Sequence, residues 1–260
     1  MASSPTSKRA GTTSRGSCRR WWRTRRRADV RVSVVVDGLL GHPRLHLRAT
    51  DSTNTRAREL AVGGAPHGTL VTAREQSAGR GRQGRHWTAP AGRALLCSLV
   101  IRDPPRLLPL AAGVAVALLA GPSAQIKWPN DVLIAGRKVA GILVEARLQD
   151  RWAVVGIGLN VAVREYDLPL ELRGSAGGLG LEPDAVEPTL VRLLGELQRW
   201  TEAPAEQVLD AVRSRDALLE REVRWAGGRG TAAGIDGEGR LIVATETGRV
   251  ALDAGEVHLA

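Results

Sequence analysis

Residues 79–87 read Gly79-Arg80-Gly81-Arg82-Gln83-Gly84-Arg85-His86-Trp87. Glycine lets backbone approach a ligand closely, and three arginines offer forked donors for phosphate or carboxylate. The stretch lacks the Gly-Lys-Ser/Thr ending of a P-loop and the glycine spacing of the dinucleotide-binding fold, so neither architecture is indicated. Alone it also suits a solvated basic loop or an RNA-binding tract. Trp87 could stack on a purine or cover a core edge.

Two further segments share its character. Lys127-Trp128-Pro129-Asn130-Asp131 puts a lysine at a strand end before a proline turn. Ten residues on comes Lys138-Val139-Ala140-Gly141-Ile142-Leu143-Val144-Glu145, and then Gly156-Ile157-Gly158-Leu159-Asn160. Lysine is scarce: Lys8, Lys127 and Lys138 against 34 arginines. Keeping lysine at 127 and 138 suggests a need for a compact point charge. Each could equally be a turn or surface residue. The three asparagines, Asn54, Asn130 and Asn160, fall in or beside these segments. Glycines on the 156–158 strand let something pack closely against it.

Around them, element types alternate. Ser52, Thr53 and Asn54 are N-cap candidates for a helix through Arg56 to Val62, stopped by Gly63-Gly64. Strands are expected at 68–72, 94–101, 124–128 and 132–135, with a Gly136-Arg137 turn into 138–146 and a central strand over 153–163. Residues 107–120 are too short to span a bilayer and read as a buried helix. Pro188 begins a helix with Leu190, Val191, Leu194, Leu197 and Trp200 on one face. Pro204 opens another with Val208, Val212 and Leu219 inside. From Glu222 five short strands with glycine turns fit a small barrel.

The chain has 260 residues, 43% hydrophobic, enough for one or two globular domains. Cys18 and Cys97 are too few and too far apart for a disulfide scaffold. The net charge of +10 suggests a nucleic-acid or membrane-surface binder. Its placement does not. Residues 1–31 hold ten basic residues and one acid, leaving 27 basic against 26 acidic in the body. That tail reads as disordered, as a transit-like peptide, as a nucleic-acid arm, or as sequence that is not translated. The five histidines show no ligand spacing, no Gly-x-Ser-x-Gly elbow exists, and Cys97 sits in an apolar run. The chemistry indicated is electrostatic, cations gathered around anions.

Taken in order, Ser52-Thr53-Asn54, Gln76, the 79–87 stretch, Lys127–Asp131, Lys138–Glu145 and Gly156–Asn160 resemble the biotin protein ligases (biotin–[acetyl-CoA-carboxylase] ligases), over roughly residues 45–260. Gly234-Ile235-Asp236 and Gly255-Glu256-Val257 are similar to their C-terminal domain. Two places depart from the pattern: after Trp87 the chain reads Thr88-Ala89-Pro90 where a serine before the proline is usual, and Gly92-Arg93-Ala94-Leu95 lacks a second glycine.

The resemblance implies an α+β fold, a mixed sheet flanked by helices like that of class II aminoacyl-tRNA synthetases, followed by a small SH3-like β-barrel. It implies a basic tail over 1–31, a catalytic domain over 35–218 and an SH3-like domain over 219–260. It implies that biotin and Mg-ATP give biotinyl-5′-AMP, and that a lysine of a carboxyl-carrier domain then takes the biotin. On the matching positions, Ser52, Thr53, Asn54, Gln76, Arg80, Gly81, Arg82 and Lys127 would bind biotin. Arg82, Arg85, Trp87, Asn130, Lys138 and Asn160 would bind nucleotide. Lys127, Arg82 and Arg85 would be catalytic, with Lys127 between the biotin carboxylate and the α-phosphate. Magnesium would arrive on ATP, with no metal site of the protein's own.

Only 51 residues precede Ser52, so a monofunctional cytoplasmic ligase without sequence-specific DNA binding or membrane attachment is expected. A homodimer stays open. The rivals are a lipoate–protein ligase or octanoyltransferase and, from another class, a non-enzymatic RNA binder.

Overall fold

The structure, a computed structural model, describes residues 31–32, 39–253 and 255–259. Apart from Arg31, the expected basic tail lies outside the described residues. The first unit runs β1 (Arg31–Val32), β2 (Arg44–Leu47), α1 (Thr53–Val62), β3 (Leu70–Ala73), β4 (Ala94–Arg102), α2 (Leu108–Ala120), β5 (Ala124–Lys127), β6 (Asp131–Ile134), β7 (Arg137–Arg147) and β8 (Trp152–Asn160). Helices α3 (Val186–Thr201) and α4 (Ala205–Arg213) follow. The eight strands form one sheet in the order β1-β2-β3-β4-β8-β7-β6-β5. Its one parallel pair is β2–β3, joined through α1. This is the expected mixed sheet flanked by helices.

Alternation along the central strands divides the core. On β8, Ala153, Val155, Ile157 and Leu159 face the large cluster under α2, α3 and α4, while Trp152 and Val154 face α1. On β4, Cys97 and Leu99 point to the first side and Val100 to the second. That is the period-two rule of a sheet buried on both faces. Past the N-terminal end of α1 no α-helix covers the second face, and there the even positions of β8 become Gly156, Gly158 and Asn160.

Helix α2 is buried almost all round, as its unbroken apolar run requires. The face expected for α3 is corrected by one step. Thr189, Leu190, Leu193, Leu197 and Trp200 are buried, whereas Val191 is exposed. Leu193 and Leu197, four apart, share a stripe with Leu190, and Val191 lies outside that arc. Leu219 is likewise half-exposed beyond the end of α4.

The second unit comprises β9 (Glu222–Trp225), β10 (Gly228–Ile235), β11 (Leu241–Thr245), β12 (Gly248–Leu252) and β13 (His258–Leu259). They pair antiparallel in the open order β12-β11-β10-β9-β13. Among the described residues the sheet does not close, so the expected barrel is an open sheet here; β13 has only two residues with which to pair. Val223, Ala232, Leu241 and Val243 join the same core cluster as α2 and α4. Trp128 Nε1 donates to Gly239 O at 3.0 Å, tying the β5–β6 turn to this sheet.

Candidate active site

A cavity of about 240 Å³ opens on the uncovered part of the sheet, at the start of α1. Ser52, Thr53 and Asn54 form its inner wall, Gly141, Leu143, Gly156 and Gly158 of β7 and β8 its floor, and the 80–88 loop its roof. Leu168, Leu172 and Ala176 close the far side. Ser52 occupies the N-cap position of α1, yet its side chain makes no capping hydrogen bond. Its hydroxyl is left for the cavity.

Behind the wall runs a directed chain of hydrogen bonds. Thr53 N donates to Gln76 Oε1 at 2.7 Å. Thr53 Oγ1 and Asn54 Oδ1 lie 2.8 and 2.6 Å from the hydroxyl of Ser98, itself wholly buried on β4. Asn54 Nδ2 donates to Glu145 Oε2 at 3.0 Å, so its Oδ1 must accept from Ser98. Ser98 spends its one hydroxyl hydrogen there, and Thr53 Oγ1 donates to Gln76 Oε1 at 3.0 Å. Ser98 and Asn54 therefore donate in turn toward the carboxylate of Glu145, an arrangement in which each bond polarises the next.

The arginine–glycine loop is pinned at three points. Arg80 reaches Glu145 through both terminal nitrogens, at 3.0 and 2.9 Å. Arg82 Nη1 donates to Asn130 Oδ1 at 3.3 Å, and Asn130 Nδ2 to Ile142 O at 3.2 Å. Arg85 forms an ion pair with Glu256 of the second unit. Within the loop, Trp87 N donates to Gly79 O at 2.9 Å and Gly81 N to Arg85 O at 2.7 Å. A Cβ on Gly79 would stand 2.3 Å from Trp87 O, so this closure needs glycine.

Trp87 lies on the glycine floor. A Cβ on Gly158 would be 2.4 Å from its Cε2, and one on Gly141 3.0 Å from its Cζ3. Gly141 and Gly158 are register partners across β7 and β8, so the indole covers a matched pair of bare backbone positions. Its Nε1 is buried with no hydrogen-bond partner, as is Oδ1 of Asn160, whose Nδ2 donates to Gly177 O at 2.8 Å. The walls thus hold one unused donor and one unused acceptor, which a polar ligand would satisfy.

Lys138 lines the cavity. Its ammonium lies 2.7 Å from Asp131 Oδ1 and 5.8 Å from the centre of the Trp87 ring. Lys127 does not line it. It ends β5, the last strand of the sheet, and burial holds its ammonium below the usual lysine range, Asp131 opposing that shift. Of the two lysines, Lys138 lines the cavity and Lys127 does not, because β7 crosses beneath the cavity and β5 does not.

Every other expected site residue lies at the cavity: Ser52, Thr53, Asn54, Gln76, Arg80, Gly81, Arg82, Arg85, Trp87, Asn130, Lys138 and Asn160. Ser98, Glu145 and Glu256 received no role from the sequence. Ser98 had a signal, a lone hydroxyl inside the apolar run 94–101. Cys97 is buried on the opposite face, its thiol pushed up to about 12 by desolvation, as suits a core residue. Among the described residues no group of three or more His, Cys, Asp or Glu side chains could hold a metal ion, and no helix is long and apolar enough to cross a membrane.

Residues 47–161 match the family model described as the biotin/lipoate A/B protein ligase family, and 219–259 match that of the biotin protein ligase C terminal domain. A biotin–[acetyl-CoA-carboxylase] ligase of Paracoccus denitrificans is 36% identical over 239 residues, which cover 81% of this chain and 98% of that protein. The chain belongs to the biotin protein ligase family. The first match ends one residue past Asn160, so it spans the inner wall, loop and floor of the cavity; the second covers the open sheet that supplies Glu256. A solved biotin protein ligase from Aquifex aeolicus, in complex with biotin and ATP, superposes with a TM-score of 0.71 at 29% identity, covering 84% of this chain and 98% of that one. A bifunctional ligase/repressor of Bacillus spizizenii is 40% identical over 164 residues, 58% of this chain. Of that biotin protein ligase relative the chain spans about half the length.

Proposed function

We propose that the chain activates biotin with ATP, forming biotinyl-5′-AMP and pyrophosphate, and transfers biotin to a lysine of a carboxyl-carrier domain. The observation that carries this reading is one cavity with a buried polar wall at one end and placed cations at the other. Ser52, Asn54 and Gln76 supply donors and acceptors for a ureido head, and the paired glycines make room for a flat ring. Arg82, Arg85 and Lys138 face the region where a carboxylate and a phosphate must meet. Two such charges 4 Å apart repel by about 4 kcal/mol at an effective dielectric of 20, and a cation between them offsets that.

In the first step a carboxylate oxygen attacks the α-phosphorus and the α–β P–O bond breaks, pyrophosphate leaving with the electron pair. Magnesium enters on the triphosphate and adds its charge there. Asn160 Oδ1, unpaired in the wall, suits an exocyclic amine of adenine. In the second step the acceptor amine attacks the acyl carbon and AMP leaves. The pinned loop would keep water from the anhydride meanwhile. We place the division between catalytic and C-terminal units at residues 218 and 219, and the protein in the cytoplasm with its ATP supply.

The test is pyrophosphate release on mixing the protein with Mg-ATP and either biotin or lipoate, followed by mass gain on a carboxyl-carrier domain. Biotin-dependent release and a biotinylated carrier are expected. Release with lipoate and none with biotin would make it a lipoate-activating relative.

A further inference from the structure

Asp131 has no place in the proposed chemistry, yet it stands where the cations of the site converge. It pairs with Lys127 across β5 and β6 and with Gly141 across β6 and β7, and Gly141 pairs with Gly158 on β8. Register partners point to one face of a sheet, so Lys127, Asp131, Gly141 and Gly158 form one row across four strands. The glycine floor of the cavity runs directly into a carboxylate and then a lysine.

The side chain of Lys138 lies over the gap in this row. A Cβ on Gly141 would stand 3.3 Å from Lys138 Cε and 3.4 Å from its Nζ, so a side chain there would crowd the ammonium. From that place Nζ reaches Asp131 Oδ1 at 2.7 Å. That oxygen is buried and has no hydrogen-bond partner among the described residues, so the ion pair is what meets it. Burial disfavours the charges on Lys127 and Arg82, and Asp131 and Glu256 work against that at both. In this cluster Lys127, Lys138, Arg82 and Arg85 outnumber Asp131 and Glu256 by four to two. The surplus is positive, as an incoming anion requires. A lysine is a point charge on a flexible stem, and a cation offered to a transition state acts best when its place is fixed beforehand.

We propose that Asp131 is a positioning residue, which acts through Lys138 by holding its ammonium over Gly141, at the meeting point of carboxylate and α-phosphate. The inference deepens the biotin-activating reading and rests on it for its kinetic arm.

Asp131→Asn keeps the shape of the side chain and removes its charge. Single-turnover formation of the adenylate should slow on the order of a hundredfold, as a misplacement of about 1 Å can cost. The Kd for biotin, read by calorimetry, should stay unchanged. Combined with Lys138→Ala, Asp131→Asn should add less than about twofold to the loss, because no ammonium is left to place. Wild-type adenylation in Asp131→Asn overturns the proposal, as do a weakened biotin Kd or losses that multiply in the double variant. Should Asp131→Asn fail to fold alone, the same comparison is made on a Lys127→Met background, which lacks the buried cation that Asp131 offsets. A second readout needs no substrate. The described residues hold two lysines, Lys127 and Lys138, so acetylation by acetic anhydride can be followed at each by mass spectrometry. Lys138 should acetylate severalfold faster in Asp131→Asn than in wild type, and equal rates overturn the proposal. Failure of wild type to release pyrophosphate with biotin would instead overturn the functional reading and leave the labelling result standing.

Discussion

Glu256, which leads into β13 of the second unit, forms an ion pair with Arg85 of the loop over the cavity. It also acts electrostatically on Arg82 and Lys127, so one carboxylate from the second unit bears on three cations of the first. An unrestrained arginine carries about 2 kcal/mol of rotamer entropy, which this contact removes in advance. Glu256→Gln should therefore raise the ATP KM roughly three- to tenfold by that entropy and leave biotin binding unchanged. Pyrophosphate exchange at varied ATP measures it, and an unchanged or lowered KM would show that Glu256 does not orient Arg85.

Asn54 and Gly156 occupy nearly the same space. A Cβ on Gly156 would stand 1.8 Å from Asn54 Oδ1. Gly156→Ala should expel the amide and strip Ser98 and Glu145 of partners, each loss being worth about 1–3 kcal/mol. On that scale Tm should fall by roughly 5–10 °C, and biotin affinity by tenfold or more. Calorimetric titration and a thermal melt read both. Wild-type affinity in the variant would remove Asn54 from the binding wall.

The two lysines separate cleanly. Lys138 lines the cavity and Lys127 does not. Lys138→Ala should slow adenylate formation by two to three orders of magnitude, on the order of 3–4 kcal/mol, the size of a lost transition-state donor. Lys127→Ala should cost about tenfold or less, near 1.4 kcal/mol. Single-turnover formation of the adenylate ranks them, and the opposite ranking would give the bridging role to Lys127.

Burial lowers the native pKa of Lys127 below its ordinary value of 10.5. The folded chain then binds fewer protons than the unfolded one between those two values, and stability rises with pH across that window. Lys127 weighs against the fold most at neutral pH, and that cost is gone above 10.5. Lys127→Met should raise Tm at pH 7, by roughly 2–4 °C for each kcal/mol, with the gain shrinking as pH approaches 10.5. A gain independent of pH would assign it to packing instead.

Much of this was legible in the sequence because the signals are local. The glycine-spaced strand, the arginine loop and the three asparagines announce themselves by residue type, and the strands of the first sheet follow from short apolar runs between turns. What escaped is long-range. Glu145 and Arg80 are 65 positions apart, and only the pairing of β7 with β8 and the fold of the loop bring them together. The choice between Lys127 and Lys138 depended on which strand passes under the cavity, and the openness of the second sheet on how its end strands pair. The slip on α3 came from a different source: Val191 is as apolar as its neighbours, and only the helix's rotation against α2 leaves it outside.

The bare backbone at 156 and 158 has a consequence for inheritance. The composition of this chain is lopsided, with no phenylalanine and only three lysines. At these two positions there is no latitude of that kind. Every codon change that replaces glycine introduces a Cβ, and the space for it is already held by Asn54 or by the indole of Trp87. The neighbour between them, Ile157, packs into the ordinary core and can exchange for valine at modest cost. Along β8, freedom and prohibition should therefore alternate residue by residue in any library of variants, a two-beat record of which side of the sheet meets the ligand.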